Sequence, residues 1–247
     1  MSAFGAHRYD ELDFNAPMSS ARALELVVGL GPLAGATIVD LGCGWAELLL
    51  RVLEHEPTAR GVGVDVDPAA ISRARANAAA RALGDRVRLD CADVAAWSHG
   101  IDEIDIVIVI GASHAWGGTE AALEAVRARL RPGGRLLLGE AIWQQPPTPA
   151  ARAALDAQAD DFAPLAGLVD TCLDRGFRLL SRATATLDEW DAFESGYCAG
   201  PERWLAAHPD DPAAAEVSAE LDAHRNGWLH GYRGILGFAY LTLVSTR

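Results

Sequence analysis

The chain has 247 residues, half of them hydrophobic, and a formal net charge of −13. Such a length can bury one sizeable core, or one domain with an appended cap. No basic stripe suited to nucleic acid is visible, and no apolar run approaches the roughly 20 residues that span a bilayer. We therefore expect a small-molecule partner, no nucleic-acid or membrane partner, and a monomer or homodimer.

The four cysteines are scattered and include no Cys-x-x-Cys pair: Cys43, Cys91, Cys172 and Cys198. This spacing predicts reduced, mostly buried thiols and a cytoplasmic location. The seven histidines show no metal-ligand spacing, so no metal site is predicted.

The first 34 residues form a leader and a helix. Residues 1–16 show no periodicity, and Asn15 and Pro17 then indicate a helix start, with the helix running from Met18 to Leu30. Two roles fit this segment equally well: it could cover the mouth of a ligand site or simply pack on a sheet.

A short apolar run, Thr37-Ile-Val, leads into an acid and a glycine turn, Asp40-Leu-Gly42-Cys-Gly44. This pattern predicts a buried strand that feeds a tight turn, with a helix from Trp45 to Glu54 after it. Glycines let the backbone approach a ligand closely, and the helix opens with free N–H groups. The segment therefore predicts a nucleotide-type binding site.

Strands and helices then alternate along the chain. Apolar runs predict strands at 61–67, 87–91, 104–110, 135–140, 176–186 and 235–244, and helices are predicted at 68–83, 120–130 with Thr119 as its cap, 150–158 and 163–175. A helical stretch at 187–229, broken at Gly200-Pro201 and at 210–212, is long for a connection and predicts a cap.

This alternation with short links predicts an α/β fold with a doubly wound, mostly parallel sheet of seven strands. Ligands in such sheets bind beyond the carboxyl ends of the strands, so the residues that follow each strand are the functional candidates.

The glycine turn resembles motif I of the class I S-adenosylmethionine-dependent methyltransferases, a Rossmann-like family, here of the small-molecule type. In a dinucleotide fold the third glycine would fall at Glu47, where a glutamate crowds the packing and brings negative charge near a pyrophosphate. The resemblance covers about residues 36–141 and the two-strand ending, and it implies an antiparallel last strand.

The resemblance also implies cofactor-binding residues. Gly42 and Gly44 would approach the methionine part of S-adenosylmethionine, and Asp40 its amino group. Asp65 would accept from both ribose hydroxyls, with Asp67 as a weaker rival that otherwise caps a helix. Asp93 would accept from the adenine amino group, with the Val94 N–H beside it, unless Asp93 only caps a turn. The remaining residues of the predicted cofactor set are Cys43, Val66 and Gly111.

The residues that would act on the methyl acceptor match no family motif. Families that methylate amide or exocyclic base nitrogens carry an Asn/Asp-Pro-Pro-aromatic motif after strand four, which Gly111-Ala-Ser-His114 lacks. His114 is a candidate general base, with a backbone-bonded loop histidine as the alternative. Glu140 is the second candidate base, unless it forms a salt bridge at the sheet edge.

Four aromatic residues are candidates for the substrate pocket: Trp116, Trp143, Tyr197 and Tyr232. Trp116 and Trp143 could equally pack loops, and the stripe Trp190, Phe193 and Tyr197 is typical of a helix core.

We therefore predict a single methyltransferase domain that methylates an O-, N- or S-nucleophile of a small molecule. The alternatives are an S-adenosylmethionine-binding protein with a non-methylating role and, less favoured, a nicotinamide-dependent oxidoreductase. The predicted parts are the leader and helix at 1–34, the cofactor core at 35–141, a connector with strand six at 142–186, the helical cap at 187–231 and the final strand at 232–247.

Overall fold

The structure is a computed structural model that describes residues 3–98, 100 and 103–246. The chain divides into two compact units. The sheet unit comprises Ser19–Glu140, Leu165–Thr184 and Ala239–Arg247, and the helical unit comprises Met1–Met18, Ala141–Pro164 and Ala185–Phe238.

The seven strands form one sheet in the order β3-β2-β1-β4-β5-β7-β6. The strands are β1 (Thr37–Leu41), β2 (Arg60–Asp65), β3 (Val87–Cys91), β4 (Ile104–Ile110), β5 (Leu130–Trp143), β6 (Phe177–Thr184) and β7 (Leu236–Ser245). The pairs β3–β2, β2–β1, β1–β4 and β4–β5 are parallel, whereas β7 pairs antiparallel with β6. The predicted fold class and the antiparallel last strand are both confirmed.

The helices of the described residues are α1 (Ala3–His7), α2 (Ser20–Gly29), α3 (Glu47–His55), α4 (Pro68–Ala80), α5 (Thr119–Arg129), α6 (Pro149–Leu155), α7 (Leu165–Asp174), α8 (Leu187–Ala207) and α9 (Ala214–Asn226). Of these, α3 connects β1 to β2, α4 connects β2 to β3, and α5 connects β4 to β5. A short 3₁₀ turn covers Ser113–Trp116, and a π turn covers Gly227–Tyr232.

The core of the sheet unit centres on β1 and β4. Ile38, Val39 and Leu41 of β1 are fully buried, as are four consecutive residues of β4, 106–109. Both strands are apolar on both faces because helices cover the sheet on each side. This burial fixes the carboxyl ends of the strands, where the candidate residues lie.

The leader divides between the two units. The predicted start of its helix at Asn15 and Pro17 is wrong: α2 begins at Ser20, and the Ser19 side chain accepts a hydrogen bond from the Arg22 N–H. A serine hydroxyl that reaches the third helical residue satisfies an N–H that would otherwise lack a partner. Helix α2 packs on α3, whereas α1 packs on α8 and α9.

Two other predicted boundaries are wrong. Thr119 does not cap α5, because it is already the first helical residue and Gly118, at φ 134°, precedes the helix. Strand β5 begins at Leu130 instead of Arg135, because Leu130 pairs with Ile104 before the Pro-Gly-Gly segment and Arg135 pairs with Ile106 after it.

Helix α8 continues through the predicted break at Gly200-Pro201 and has Pro201 in its interior. Glycine is required on this side of the helix because α1 and the residues after it approach closely. A Cβ on Gly196 would lie 2.6 Å from a Leu12 methyl carbon, and one on Gly200 would lie 2.2 Å from the His7 carbonyl oxygen. Packing against this segment outweighs the one hydrogen bond that Pro201 cannot donate.

The environments of the cysteines differ from the prediction. All four thiols are free, but only Cys172 is buried, while Cys43 and Cys198 are half-buried and Cys91 is exposed. Cys91 ends the edge strand β3, which explains its exposure. Among the described residues, no helix is both long and apolar enough to cross a bilayer.

Replacing Gly200 with alanine is expected to lower the free energy of unfolding by about 1–3 kcal/mol, because the new methyl group meets backbone that cannot move aside. Alanine in an ordinary helix interior would instead stabilise by roughly 0.5–1 kcal/mol, so the sign of the change is informative. Chemical denaturation measures it, with the exposed Ser195→Ala on the same helix as the control. A more stable Gly200→Ala protein would contradict the close packing of α1 on α8.

Candidate functional site

The glycine turn after β1 is tied to the neighbouring strands. The N–H groups of Gly42 and Cys43 both donate to the Val64 carbonyl of β2, at 2.8 and 3.0 Å. Gly42 has a φ of 77°, and a Cβ there would lie 2.4 Å from the Cβ of Ala112 in the loop after β4. Gly42 is therefore required by the protein's own packing.

Gly44 differs from Gly42 because it faces open space. It also has a positive φ, 54°, but a Cβ at this position would meet no atom of the described residues within 4 Å. Its N–H donates to Oδ2 of Asp65 at 2.7 Å. The turn thus leaves room for a ligand beside Gly44 and orients a carboxylate next to it.

Asp65 ends β2 with both carboxylate oxygens held by the backbone. Oδ2 accepts from Gly44, and Oδ1 accepts from the Asp67 N–H at 2.9 Å. Each carboxylate oxygen can accept a second hydrogen bond, so the fixed group can still bind two hydroxyl donors. The next side chain, Val66, is 70% exposed and offers an apolar surface beside the carboxylate.

Two further acids at this edge, the rival Asp67 and the predicted adenine-binding Asp93, accept hydrogen bonds from nearby backbone N–H groups. Asp67 caps α4, with Oδ1 accepting from the Ala69 N–H at 2.8 Å, as the alternative interpretation predicts. Asp93 is exposed, and its Oδ1 accepts from the Ala95 N–H at 2.9 Å, so it does cap a turn. The following residue, Val94, is buried. The adenine-binding role of Asp93 and Val94 stays a prediction.

Asp40 is the most unusual acid at this edge of the sheet. Its side chain is 4% exposed, and desolvation, followed by the nearby charge of Asp65, raises its pKa from 3.8 to about 8. Desolvation, with Asp40 and Asp65 as further causes, also raises the pKa of the Cys43 thiol. A buried acid of this kind becomes a favourable anion when a cation is placed beside it.

The Glu47 carboxylate is paired, although the sequence suggests an unpaired negative charge. It is buried at the start of α3, where its two oxygens accept from Arg51 at 2.7 Å and from Arg81 at 2.5 Å. The charge argument against a pyrophosphate at this turn is therefore wrong, because two guanidinium groups neutralise the carboxylate. The signal for this pairing was Arg51, one helical turn after Glu47.

The loop after β4 carries the first candidate base. Gly111, at φ 66°, donates its N–H to the Gly139 carbonyl of β5 at 2.8 Å. The 3₁₀ turn then exposes His114 to solvent and buries Ser113. Trp116 is half-buried, and its indole Nε1 is buried without a hydrogen-bond partner among the described residues.

The second candidate base, Glu140, lies near the carboxyl end of β5. It is 9% exposed, and desolvation raises its pKa from 4.5 to about 7, against a hydrogen bond from Ser113 that lowers it. Its Oε1 is buried without a partner, so no described residue forms the alternative salt bridge through that atom. Burial, and then the charge of Glu140, raises the pKa of Cys172 to about 12.

The other aromatic candidates belong to the helical unit. Trp143 is buried, donates its indole N–H to the Ala159 carbonyl at 2.9 Å, and meets the Phe162 ring edge-on at 5.0 Å. It therefore packs a loop. Tyr197 is half-buried on α8, and Tyr232 is buried in the π turn.

Sequence reasoning missed Glu194, to which Tyr232 donates at 2.9 Å and which pairs with His224 at 2.6 Å. Its position was informative, because Glu194 lies one turn after Trp190 and one turn before Tyr197 on the predicted apolar face. A carboxylate on such a face is a signal of a buried polar cluster.

Comparison with known proteins shows the family. Residues 39–136, which contain the glycine turn and the acids Asp40, Asp65 and Asp93, match a methyltransferase domain family. The Escherichia coli protein YjhP is 31% identical over 214 residues, which cover 85% of each chain. Its crystal structure has a TM-score of 0.89 at 28% identity, covering 98% of this chain and 99% of that one.

Two crystal structures described as S-adenosylmethionine-dependent methyltransferases are equally similar, and both are complexes with S-adenosylhomocysteine. The Geobacter sulfurreducens protein has a TM-score of 0.90 at 26% identity, covering 99% of this chain and 98% of that one. The Thiobacillus denitrificans protein has a TM-score of 0.90 at 26% identity, covering 99% of both chains. The chain belongs to the class I S-adenosylmethionine-dependent methyltransferases. The resemblance inferred from motif I is confirmed. In this methyltransferase, the open space beside Gly44 lies within motif I.

Proposed function

We propose that this methyltransferase binds S-adenosylmethionine at the carboxyl ends of β1, β2 and β3 and methylates a nucleophilic oxygen, nitrogen or sulfur of a small molecule. The observation that carries the proposal is the open space at Gly44, next to a carboxylate whose two oxygens are both oriented by backbone N–H groups. When bound, the cofactor supplies an electrophilic methyl group on a sulfonium centre.

The residues at this edge fit the cofactor's chemistry. Asp40 is a buried acid that gains from a neighbouring ammonium group, and Asp65 can accept from two adjacent hydroxyls. Val66 offers an exposed apolar face to a flat ring, and Asp93 can accept from an amino group through its second oxygen. Gly42, Cys43 and Gly111 complete the cofactor set by shaping the two loops.

The chain's contribution to the reaction is positioning, exclusion of water and, for a protonated nucleophile, removal of a proton. Two side chains are candidates for the last role. His114 is exposed, whereas Glu140 is buried, has a pKa raised to about 7, and has one oxygen without a partner. A base with a pKa near the working pH, shielded from water, is the more effective one, which supports Glu140 over His114.

Replacing Glu140 with glutamine is expected to lower kcat by about a hundredfold or more, a typical contribution of a general base. In the wild type, kcat/KM for the acceptor at saturating cofactor should rise with pH through about 7, because the carboxylate form of Glu140 is the base. This rise of activity with pH, the acidic limb of the pH profile, should disappear in Glu140→Gln. It should move to higher pH in Ser113→Ala, because the hydrogen bond from Ser113 lowers the pKa of Glu140.

His114→Ala is the matched comparison. It should retain both the acidic limb of the pH profile and most of the turnover. The reverse outcome, a flat profile in His114→Ala and an intact one in Glu140→Gln, would return the role to His114.

Titration calorimetry with S-adenosylhomocysteine, S-adenosylmethionine and NAD tests the cofactor. A screen for transfer of a labelled methyl group to hydroxyl, amine, thiol and carboxylate compounds then tests the acceptor. We expect binding of the first two ligands and labelling of a small molecule. Binding of NAD alone would overturn the cofactor proposal, and labelling of only protein or nucleic acid would overturn the small-molecule acceptor.

A further inference from the structure

The helical unit contains a buried carboxylate that the proposed cofactor site does not use. Glu194 of α8 is 6% exposed, and both of its oxygens have partners. Oε1 accepts from the Tyr232 hydroxyl at 2.9 Å, and Oε2 lies 2.6 Å from Nε2 of His224. We call Glu194, His224, Tyr232 and Tyr197 the Glu194 cluster; it joins α8, α9 and the π turn.

His224 is oriented so that only one ring nitrogen meets the carboxylate. Nε2 faces Glu194, whereas the structure shows no hydrogen bond from a described residue to Nδ1. The Tyr197 ring stacks on the imidazole with centroids 4.6 Å apart and planes 22° apart, which fixes the ring plane. The side chain of His224 is 27% exposed, so the ring is accessible although the carboxylate behind it is not.

This arrangement determines which nitrogen can accept a hydrogen bond from a ligand. A carboxylate at Nε2 favours the tautomer with a proton on Nε2, which leaves the lone pair on Nδ1. Tyr232 stays a hydrogen-bond donor, since desolvation and the neighbouring Glu194 charge raise the pKa of its phenol.

The surroundings indicate which ligands the cluster suits. The Phe193 ring lies 6.4 Å from that of Tyr197 and 6.0 Å from that of Trp190, and Phe193 and Tyr197 are only half-buried. The indole Nε1 of Trp190 is buried and has no hydrogen-bond partner among the described residues. Aromatic faces beside an accessible imidazole suit an apolar or aromatic molecule that carries a hydrogen-bond donor.

We propose that the Glu194 cluster is a small-molecule site in which Nδ1 of His224 accepts a hydrogen bond from a hydroxyl, amine or thiol next to an aromatic or apolar group. The site goes beyond the proposed function, which does not require it.

A purely structural role is the competing explanation. In that case the pair of Glu194 and His224 would only connect α8 to α9, and Nδ1 would have no ligand. The two explanations differ in what a donor-bearing molecule does to the ring nitrogens.

NMR of the histidine ring nitrogens in ¹⁵N-histidine-labelled protein tests the site. The probes are phenol, benzylamine and phenylmethanethiol, with toluene as the matched molecule that has a ring but no donor. We expect an Nε2–H tautomer for His224 in the free protein and a shift of its Nδ1 resonance with at least one donor-bearing probe. Toluene should leave the Nδ1 resonance in place. An Nδ1 that responds to no donor-bearing probe more than to toluene would overturn the proposal.

Variants separate this proposal from protein folding and from the proposed function. Glu194→Gln should abolish the tautomer preference and the probe-dependent shift, whereas Tyr232→Phe should keep both because His224 and Glu194 remain paired. Calorimetry with S-adenosylhomocysteine checks that each variant still folds. Unchanged tautomer and probe response in Glu194→Gln would also overturn the proposal, whatever the cofactor result.

Discussion

Replacing Asp40 with asparagine is expected to abolish cofactor binding and, at neutral pH, to raise the free energy of unfolding of the ligand-free protein. Asp40 is 4% exposed at the carboxyl end of β1, and desolvation raises its pKa to about 8. The buried Asp40 carboxylate therefore destabilises the ligand-free protein, and it stabilises the complex with a cationic ligand. Asparagine removes the ionisable group at almost constant volume.

The sign of the stability effect follows from the two protonation states. The pKa is about 8 in the folded protein and 3.8 in the reference state, so between these values the folded chain holds a proton that the unfolded chain has lost. Stability then falls as pH rises through this window, by about 1.4 kcal/mol per pKa unit at most. The stabilising effect of Asp40→Asn should be absent near pH 4 and reach a few kcal/mol at neutral pH.

Denaturant unfolding at mildly acidic and neutral pH, with and without S-adenosylhomocysteine, measures both effects. The ligand should stabilise the wild type and leave Asp40→Asn unchanged, and its affinity for the wild type should rise with pH up to about 8. Asp90→Asn is the control, because Asp90 lies on the edge strand β3 and accepts a hydrogen bond from the indole N–H of Trp97. A variant less stable than the wild type at neutral pH would contradict the buried, protonated Asp40.

Replacing Asp65 with alanine is expected to weaken S-adenosylhomocysteine binding by on the order of a hundredfold or more, because two hydrogen bonds to a charged group are lost. It also releases the N–H groups of Gly44 and Asp67, which now donate to the two carboxylate oxygens. The turn would then lose the group that orients it, and the remaining affinity should depend on the methionine end of the ligand.

Asp67→Ala is the matched control for Asp65→Ala. It removes only the cap of α4, which costs about 1 kcal/mol of stability, and should leave the affinity within a few-fold of the wild type. Equal losses in the two variants would show that the carboxylates act through the fold of the turn. A loss confined to Asp67→Ala would reverse the assignment of the ribose-binding acid.

The sheet and its functional edge could be predicted because their signals are local. The run Ile104–Ile110 could only be a strand buried on both faces, and the acids at Asp40 and Asp65 directly follow apolar residues. In a parallel sheet such residues meet at one edge, whatever the rest of the chain does. The cofactor class followed from the glycine turn taken together with the acids after strands two and three, Glu47 and the two-strand ending, and the family match bears the class out.

The polar partners in the interior could not be predicted, because they join residues that are far apart in sequence. Glu194 meets His224 and Tyr232, 30 and 38 positions later. Its place on the predicted apolar face signals a buried polar cluster, but no local pattern identifies those two partners. For Glu47, Arg51 one turn later was a local signal of pairing, whereas its second partner, Arg81, lies at the end of another helix and could not be predicted. The helix through Gly200 and Pro201 was misjudged because its stability depends on α1.

The sheet order has a consequence for synthesis on the ribosome. Strand β7 lies between β5 and β6, yet about fifty residues separate it from β6 in the chain. At a synthesis rate of roughly 10 residues per second, about five seconds pass between the completion of β6 and the start of β7. During this time β5 has an open edge and β6 has no partner. The apolar residues 136–138 of β5 are exposed to off-pathway pairing in that interval. Nascent chains stalled before Leu236 should therefore be the species that recruits chaperones.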